Sequence, residues 1–189
     1  MNLAHRYLCA STRWNTTVRT AILPWVLDGV DLGSNVLEIG PGYGAATDHL
    51  RAHVGHLICV EIDRALAARL AERMAAHDVT VLCEDATRMS LADASCDGAV
   101  SLTMLHHVPS VALQDRLLSE VARVLRPGGV FAGFDAADGT MFRLLHAFDT
   151  MVVIDPRTFP ARLSRAGFTD IAIDVRARGF RFRARRASH

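Results

Sequence analysis

Lysine is absent from this sequence, and all 21 of its Lys-or-Arg positions are Arg. Without an ε-amino group there can be no Schiff base, no phosphate-loop lysine and no Tyr-x-x-x-Lys dehydrogenase dyad. Cysteine is sparse and scattered. Cys9, Cys59, Cys83 and Cys96 form no C-x-x-C pair and have no histidine at ligand spacing, so reduced thiols are expected, with no metal site and no disulfide framework. Long apolar runs are missing too. The longest, around Ala99 to Leu105, falls far short of the ~20 residues of a membrane span. Met1 to Trp14 has no apolar signal core, and a cytoplasmic protein without a transmembrane segment is expected. No internal repeat and no low-complexity linker divides the chain. Its 189 residues, half of them hydrophobic, read as one domain.

What is present alternates. Asn35 to Ile39, His56 to Ile62, Val79 to Cys83, Gly98 to Leu102 and Val130 to Phe134 are short and rich in Val, Ile and Leu, often apolar at successive positions. Strands buried on both faces of a parallel sheet read this way. Between them, Ala45 to Val54, Ala65 to Ala76 and Leu113 to Leu125 have helical periodicity, the last ended by Pro127-Gly128-Gly129. Phe168 to Arg176 and Phe180 to Arg185 are joined too tightly for a crossover and predict an antiparallel hairpin. The expected fold is α/β: a doubly wound sheet of five parallel strands closed by a C-terminal antiparallel hairpin, with helices on both faces. Asn15 to Leu27 predicts a helix with Pro24 as a kink, placed to cap the C-terminal edge of the sheet. Thr140 to Val153 carries Met141, Phe142, Leu145, Phe148 and Val152 at helical spacing; plain packing and contact with a substrate are both open for it.

The chemistry concentrates at strand ends. Val36-Leu37-Glu38-Ile39 runs straight into Gly40-Pro41-Gly42-Tyr43-Gly44, a sharp turn with no side chains at the glycines to keep a ligand off the backbone. Alone, this also fits the dehydrogenase pattern. Glu61 ends the second strand 21 residues after Gly40, where a carboxylate can accept two hydrogen bonds from a ribose diol. After the third strand, Asp85 can accept from an adenine amino group while Ile62 offers an apolar face to the ring. Three successive strand ends point to one nucleoside.

Together with Asp97-Gly98-Ala99-Val100-Ser101, Leu105-His106-His107 and Val124-Leu125-Arg126-Pro127-Gly128-Gly129, these motifs fall in an order that resembles the class I S-adenosylmethionine-dependent methyltransferases from about residue 30 to 185. One methyltransferase domain over residues 1–189 is expected, with 1–30 as an N-terminal cap helix and 138–155 as a candidate insertion over the substrate, plain packing being its alternative. The resemblance also implies S-adenosyl-L-methionine as cofactor. Glu38, Gly40, Gly42 and Gly44 would hold its methionine part, Glu61 the ribose, and Ile62, Asp85 and Ala86 the adenine, with backbone near Ser101 and Leu102 closing the site. Glu38 favours this cofactor over a dinucleotide, because a carboxylate suits a cationic ligand and repels a pyrophosphate.

For the methyl acceptor, His106 and His107 are the titratable side chains just past the fourth strand. Each is a candidate base or substrate contact, with packing or helix capping as the alternative. From Leu37 to Leu66 the sequence is also similar to the ribosomal RNA adenine dimethyltransferases. At the fourth strand, however, Ser101-Leu102-Thr103-Met104 replaces their Asn-Leu-Pro-Tyr, without the Asn or the aromatic that binds a base. Charge argues the other way. Residues 157–189 hold nine Arg and two acids, whereas residues 1–156 hold twelve Arg and eighteen acids. Arg181, Arg183 and Arg185 alternate with Phe180, Phe182 and Ala184, giving either a solvated edge strand or a surface for an anionic partner. The first expectation is therefore methylation of a small molecule. An RNA or protein methyltransferase using the basic hairpin, and a regulatory protein that binds the cofactor without turnover, are the rivals.

Overall fold

Strands that are apolar at successive positions must be covered on both faces, and this chain supplies helices for each. The structure, a computed structural model, describes residues 3–137, 139 and 151–188, with residues 3–5 given by their backbone alone. Met141, Phe142, Leu145 and Phe148 of the expected covering segment therefore lie outside the described residues. In chain order the elements are α1 (Leu3–Ala10), α2 (Thr12–Thr17), a π-helical turn (Val18–Ile22), α3 (Leu23–Val26), β1 (Asn35–Ile39), α4 (Thr47–Leu50), β2 (His56–Val60), α5 (Arg64–Met74), β3 (Val79–Leu82) and β4 (Cys96–Leu102). There follow a 3-10 turn (Leu105–His107), α6 (Val111–Val124), β5 (Leu125–Ala136), α7 (Phe159–Arg165), β6 (Phe168–Arg176) and β7 (Gly179–Arg186). The described strands form one sheet in the order β3-β2-β1-β4-β5-β7-β6. Neighbours among β1 to β5 are parallel, and β7 is antiparallel to both β5 and β6.

Each face of the sheet carries its own core. Leu37, Ile39, Ala99 and Phe131 pack with Leu117 and Val121 of α6, Phe159 and Leu163 of α7, and Phe180 and Phe182 of β7. Val36, Leu57, Val100 and Ala132 pack with Leu23 and Val26 of α3, Leu50 of α4, and Leu70 and Met74 of α5. The order reverses between β2-β1 and β4-β5, so the turn after β1 sits at the topological switch point, where open α/β sheets leave a crevice.

Local chemistry changes four of the expected elements. The expected Asn15–Leu27 helix is interrupted: Leu23 N–H reaches back five residues to the Val18 carbonyl. The wide turn makes room for Pro24, whose ring would clash with a carbonyl four residues back. The helix after the glycine turn is Thr47–Leu50 only, and Ala46 before it offers no capping side chain. The helix before Pro127 ends at Val124, with Leu125 already extended (ψ 144°). Pro127 disfavours helix at the residue before it, so Pro127 to Gly129 lie inside β5, beside the register shift at Cys96–Gly98.

The fourth correction concerns the basic strand. β7 is not an edge strand; it lies between β5 and β6. Its Arg side faces the N-terminal helices. Arg181 donates to the Trp25 carbonyl and pairs with Asp174 at 3.2 Å, Arg183 donates to the Gly29 carbonyl at 3.3 Å, and Arg185 to the Gly128 carbonyl at 2.9 Å. Arg176 stacks on Trp25 with its guanidinium carbon 3.9 Å from the ring centroid. Arg176, Arg181 and Arg183 bind the N-terminal segment to the sheet, Arg181 at the carbonyl end of a short helix, where positive charge is favourable, while Arg185 ties β7 to β5. Replacing Arg181 with Ala is expected to cost about 1–2 kcal/mol, since a charge-assisted hydrogen bond is lost. Thermal melting checks this, with RNA affinity expected to stay unchanged in the same variant.

Candidate active site

Gly40, Gly42 and Gly44 take left-handed backbone (φ +64°, +57° and +77°), so the turn after β1 is closed to most side chains. They differ in what they face. A Cβ on Gly40 would sit 2.2 Å from Met104 Cγ, and one on Gly44 would sit 2.0 Å from an Arg73 nitrogen. A Cβ on Gly42 would meet nothing within 4 Å. Gly44 is thus small for packing: Arg73 donates to the carbonyls of Tyr43 and Gly44 at 3.0 and 3.3 Å and holds the turn against α5. Gly42 is the glycine open to a ligand.

A cavity of about 670 Å³ lies over this turn, within the range of small-molecule sites. Of the residues singled out by sequence, Glu38, Gly40, Gly42, Glu61, Ile62, Asp85, Ala86, Leu102 and His107 line it. Gly44, Ser101 and His106 do not. Ser101 is buried in β4, and its hydroxyl has no hydrogen-bond partner among the described residues. His106 lies behind the wall at 2 % exposure: its Nδ1 is 2.5 Å from Asp135 Oδ1, and its backbone N–H donates to Asp135 Oδ2. His106 is thus packed behind the wall rather than lining it, and its ring lies against that of His107 with centroids 4.2 Å apart.

Glu61 shapes the site before any ligand arrives. Its Oε2 accepts from Gly42 N–H and its Oε1 from Asp63 N–H, both at 2.9 Å, which joins the end of β2 to the glycine turn. Each carboxylate oxygen keeps a further acceptor position. Asp85 accepts from Thr87 N–H at 2.8 Å and so forms its own turn. Ile62 beside it is 70 % exposed, an apolar side chain that burial against a flat ring would cover.

Glu38 sits deeper. Its Oε2 accepts from Thr47 Oγ1 at 2.7 Å and from the Cys59 thiol at 3.5 Å. Burial raises its pKa to about 7, against those two hydrogen bonds, which lower it. Burial and the adjacent carboxylate together push the Cys59 thiol up. The raised acid favours the neutral form in the fold. Its stabilising contribution is therefore complete below the unfolded value of about 4.3 and is lost as pH rises through about 7. Melting wild type against Glu38→Gln between pH 5 and 8 checks the sign: the wild type is expected to lose stability relative to the permanently neutral Gln.

Sequence reasoning missed several wall residues. Trp14 and Val18 come from the N-terminal helices, Thr103 and Met104 from the chain just past β4, and Leu113 and Leu117 from α6. No local signal marks them, since apolar residues at helical spacing read as core. Charge in the wall has one sign. Glu38, Glu61, Asp63, Glu84 and Asp85 line the cavity, and no Arg does among the described residues. Arg6, which is not part of the wall, hydrogen-bonds Tyr43 and is attracted by Asp63. The donor set fits a cationic nucleoside: acceptors for a diol and an amino group, an apolar plate and negative charge. It offers nothing to a pyrophosphate, because the helix after the turn has only four residues.

Comparison with known proteins agrees with this geometry. Residues 37–133, just over half of the chain, match the family described as methyltransferase domain. Ribosomal RNA small subunit methyltransferase A of Aromatoleum aromaticum is 50% identical over 60 residues, which cover 32% of this chain and 23% of that protein. The chain spans only about a quarter to a third of the length of the curated relatives it matches. Among solved structures, a complex between the Haloferax volcanii Trm112 methyltransferase activator and a putative methyltransferase gives a TM-score of 0.77 at 16% identity, covering 97% of each chain. A methyltransferase of Thermotoga maritima, described as S-adenosylmethionine-dependent and a possible histamine N-methyltransferase, gives 0.76 at 19% identity, covering 96% of each. Identities this low establish a shared fold.

Proposed function

Because this chain belongs to the methyltransferase-domain family, we propose that it is an S-adenosyl-L-methionine-dependent methyltransferase whose acceptor is a small molecule. When bound, the cofactor supplies a methyl carbon on a sulfonium, open to in-line displacement by an acceptor lone pair. Glu61 binds the ribose diol through its remaining acceptor positions, while Ile62, Asp85 and Ala86 take the adenine. Glu38, Gly40 and Gly42 lie along the methionine end, and Leu102 closes the wall beside it. The chain's main work is then to orient an acceptor and exclude water, for which the apolar wall suffices. His107, which also lines the cavity, could take a proton from an acceptor that still holds one. His106 and Asp135 act behind it by fixing the 3-10 turn.

The observation that carries the small-molecule reading is the charge of the cavity wall: carboxylates and apolar groups, with Arg181, Arg183 and Arg185 engaged elsewhere by backbone carbonyls. A nucleic-acid acceptor needs cations beside the site to neutralise phosphates. The basic strand offers few. Arg185 pairs with Val130 at the start of the parallel part of β5, the end of the sheet opposite the cavity. The names of the curated relatives favour RNA as a second reading, but the chain spans only a fraction of their length.

Calorimetry with S-adenosyl-L-methionine tests the cofactor. Transfer of labelled methyl to metabolite, lipid and RNA fractions of a cell extract tests the acceptor. Label is expected in a low-molecular-weight product. Label in RNA alone would replace the first reading with the second, and tight binding without transfer to any fraction would favour a regulatory protein. Among the described residues, no helix is long and apolar enough to cross a membrane.

A further inference from the structure

Thr103 stands out in the cavity wall. It follows β4 with φ +51°, in the left-handed region that a β-branched side chain adopts only under constraint. The constraint is visible. Thr103 N–H donates to the Phe134 carbonyl at 2.8 Å, Met104 packs across Gly40, and His107 N–H donates to the Met104 carbonyl at 2.9 Å. Glycine or Asn would hold this turn more easily, so turn formation alone does not account for a threonine here. Strain of this kind collects at functional sites, where the surrounding structure holds a side chain to a task. The Thr103 side chain belongs to the cavity wall, and its hydroxyl has no hydrogen-bond partner among the described residues.

Strand order places Thr103 at the reacting end. Neighbouring strands lie about 4.8 Å apart, so the end of β4 is roughly 10 Å from that of β2, where Glu61 lies, and roughly 14 Å from that of β3, where Asp85 lies. The same wall includes Cys9, Trp14 and Val18 of the N-terminal helices, together with His107. Burial pushes the Cys9 thiol up to about 11 and keeps it neutral. This half of the cavity therefore has an aromatic and aliphatic lining, no cationic Arg among its described residues, and one unpaired hydroxyl.

We propose that Thr103 determines acceptor specificity: its hydroxyl hydrogen-bonds a neutral, largely apolar acceptor held between Trp14 and Met104, and anionic molecules are excluded. The proposal rests on the cofactor lying over Gly40, Gly42 and Glu61, and the test separates the two. Thr103→Val keeps the branched shape and removes only the hydroxyl, Thr103→Ser keeps the hydroxyl, and Thr103→Asn relieves the backbone. S-adenosyl-L-methionine affinity is read by calorimetry. Transfer is read with labelled S-adenosyl-L-methionine and the metabolite extract, split by anion exchange into flow-through and retained pools.

Transfer is expected in the flow-through pool. Thr103→Val should lower it tenfold or more at limiting extract, with cofactor affinity within twofold and an unchanged melting temperature. Thr103→Ser should stay within threefold of wild type, and Thr103→Asn should melt no lower than wild type yet transfer poorly. Wild-type transfer by Thr103→Val, or acceptor activity confined to the retained pool, would overturn the proposal. So would a parallel loss of cofactor affinity in Thr103→Val, which would place the hydroxyl in the cofactor half. Absence of S-adenosyl-L-methionine binding in the wild type would instead overturn the cofactor reading beneath it.

Discussion

Asp135→Ala is expected to lower the melting temperature by about 6–20 °C, the largest stability loss of any single change considered. Asp135 is fully buried and receives three hydrogen bonds: from the His106 ring at 2.5 Å, from His106 N–H at 3.2 Å and from Ala136 N–H at 2.7 Å. Removing one partner of a buried ionisable pair costs about 3–5 kcal/mol, since the short hydrogen bond is lost where water cannot replace it. For a domain of this size each kcal/mol shifts the midpoint by roughly 2–4 °C. Asp135→Asn retains an acceptor for one of the N–H groups and should fall between Ala and wild type. Circular-dichroism melts of the three proteins check the order. If Asp135→Ala melts with the wild type, the pair contributes nothing to stability and His106 has no role as an anchor for His107.

Glu61→Ala is expected to weaken S-adenosyl-L-methionine binding by two to four orders of magnitude, measured by calorimetry at constant pH. Hydrogen bonds to a charged acceptor contribute about 1.5–3 kcal/mol each, and a ribose diol would make two. The change also frees the N–H groups of Gly42 and Asp63, which Glu61 now holds at 2.9 Å, so the turn loses part of its preorganisation. Both N–H groups border the cavity and can turn to water, so the fold should survive with a modest drop in melting temperature. That separates a binding effect from unfolding. A variant that folds and binds as the wild type does would remove Glu61 from the cofactor site.

Much of the fold was legible because its signals are local. Successive Val, Ile and Leu can be buried only in a two-sided sheet, and a hairpin with so short a turn admits only antiparallel pairing. The glycine turn and Glu61 were legible for the same reason: the strand that precedes each fixes where its end must lie. Other features escaped a one-dimensional reading. His106 and His107 are adjacent in sequence, yet a 3-10 turn rotates each residue by about a third of a circle, so one ring goes behind the wall and the other into it. The Arg row of β7 read as a solvated edge or an anion site, because nothing local shows that β6 lies outside it and α3 over it.

The sequence by itself determined the class of the protein. The absence of lysine, the strand–turn sequence into Gly40-x-Gly42-x-Gly44 and the carboxylates at successive strand ends are each set within a few bonds of backbone, where propensity and sterics suffice. Only the tertiary structure decided which groups share the cavity. It brought Trp14 and Val18 into the same cavity wall as the chain past β4, forced Thr103 into a left-handed turn, and committed Arg181 and Arg183 to the backbone of the N-terminal segment and Arg185 to that of β5. The reason is physical: such contacts join residues far apart in the chain, and packing fixes their orientation, for which no local pattern codes.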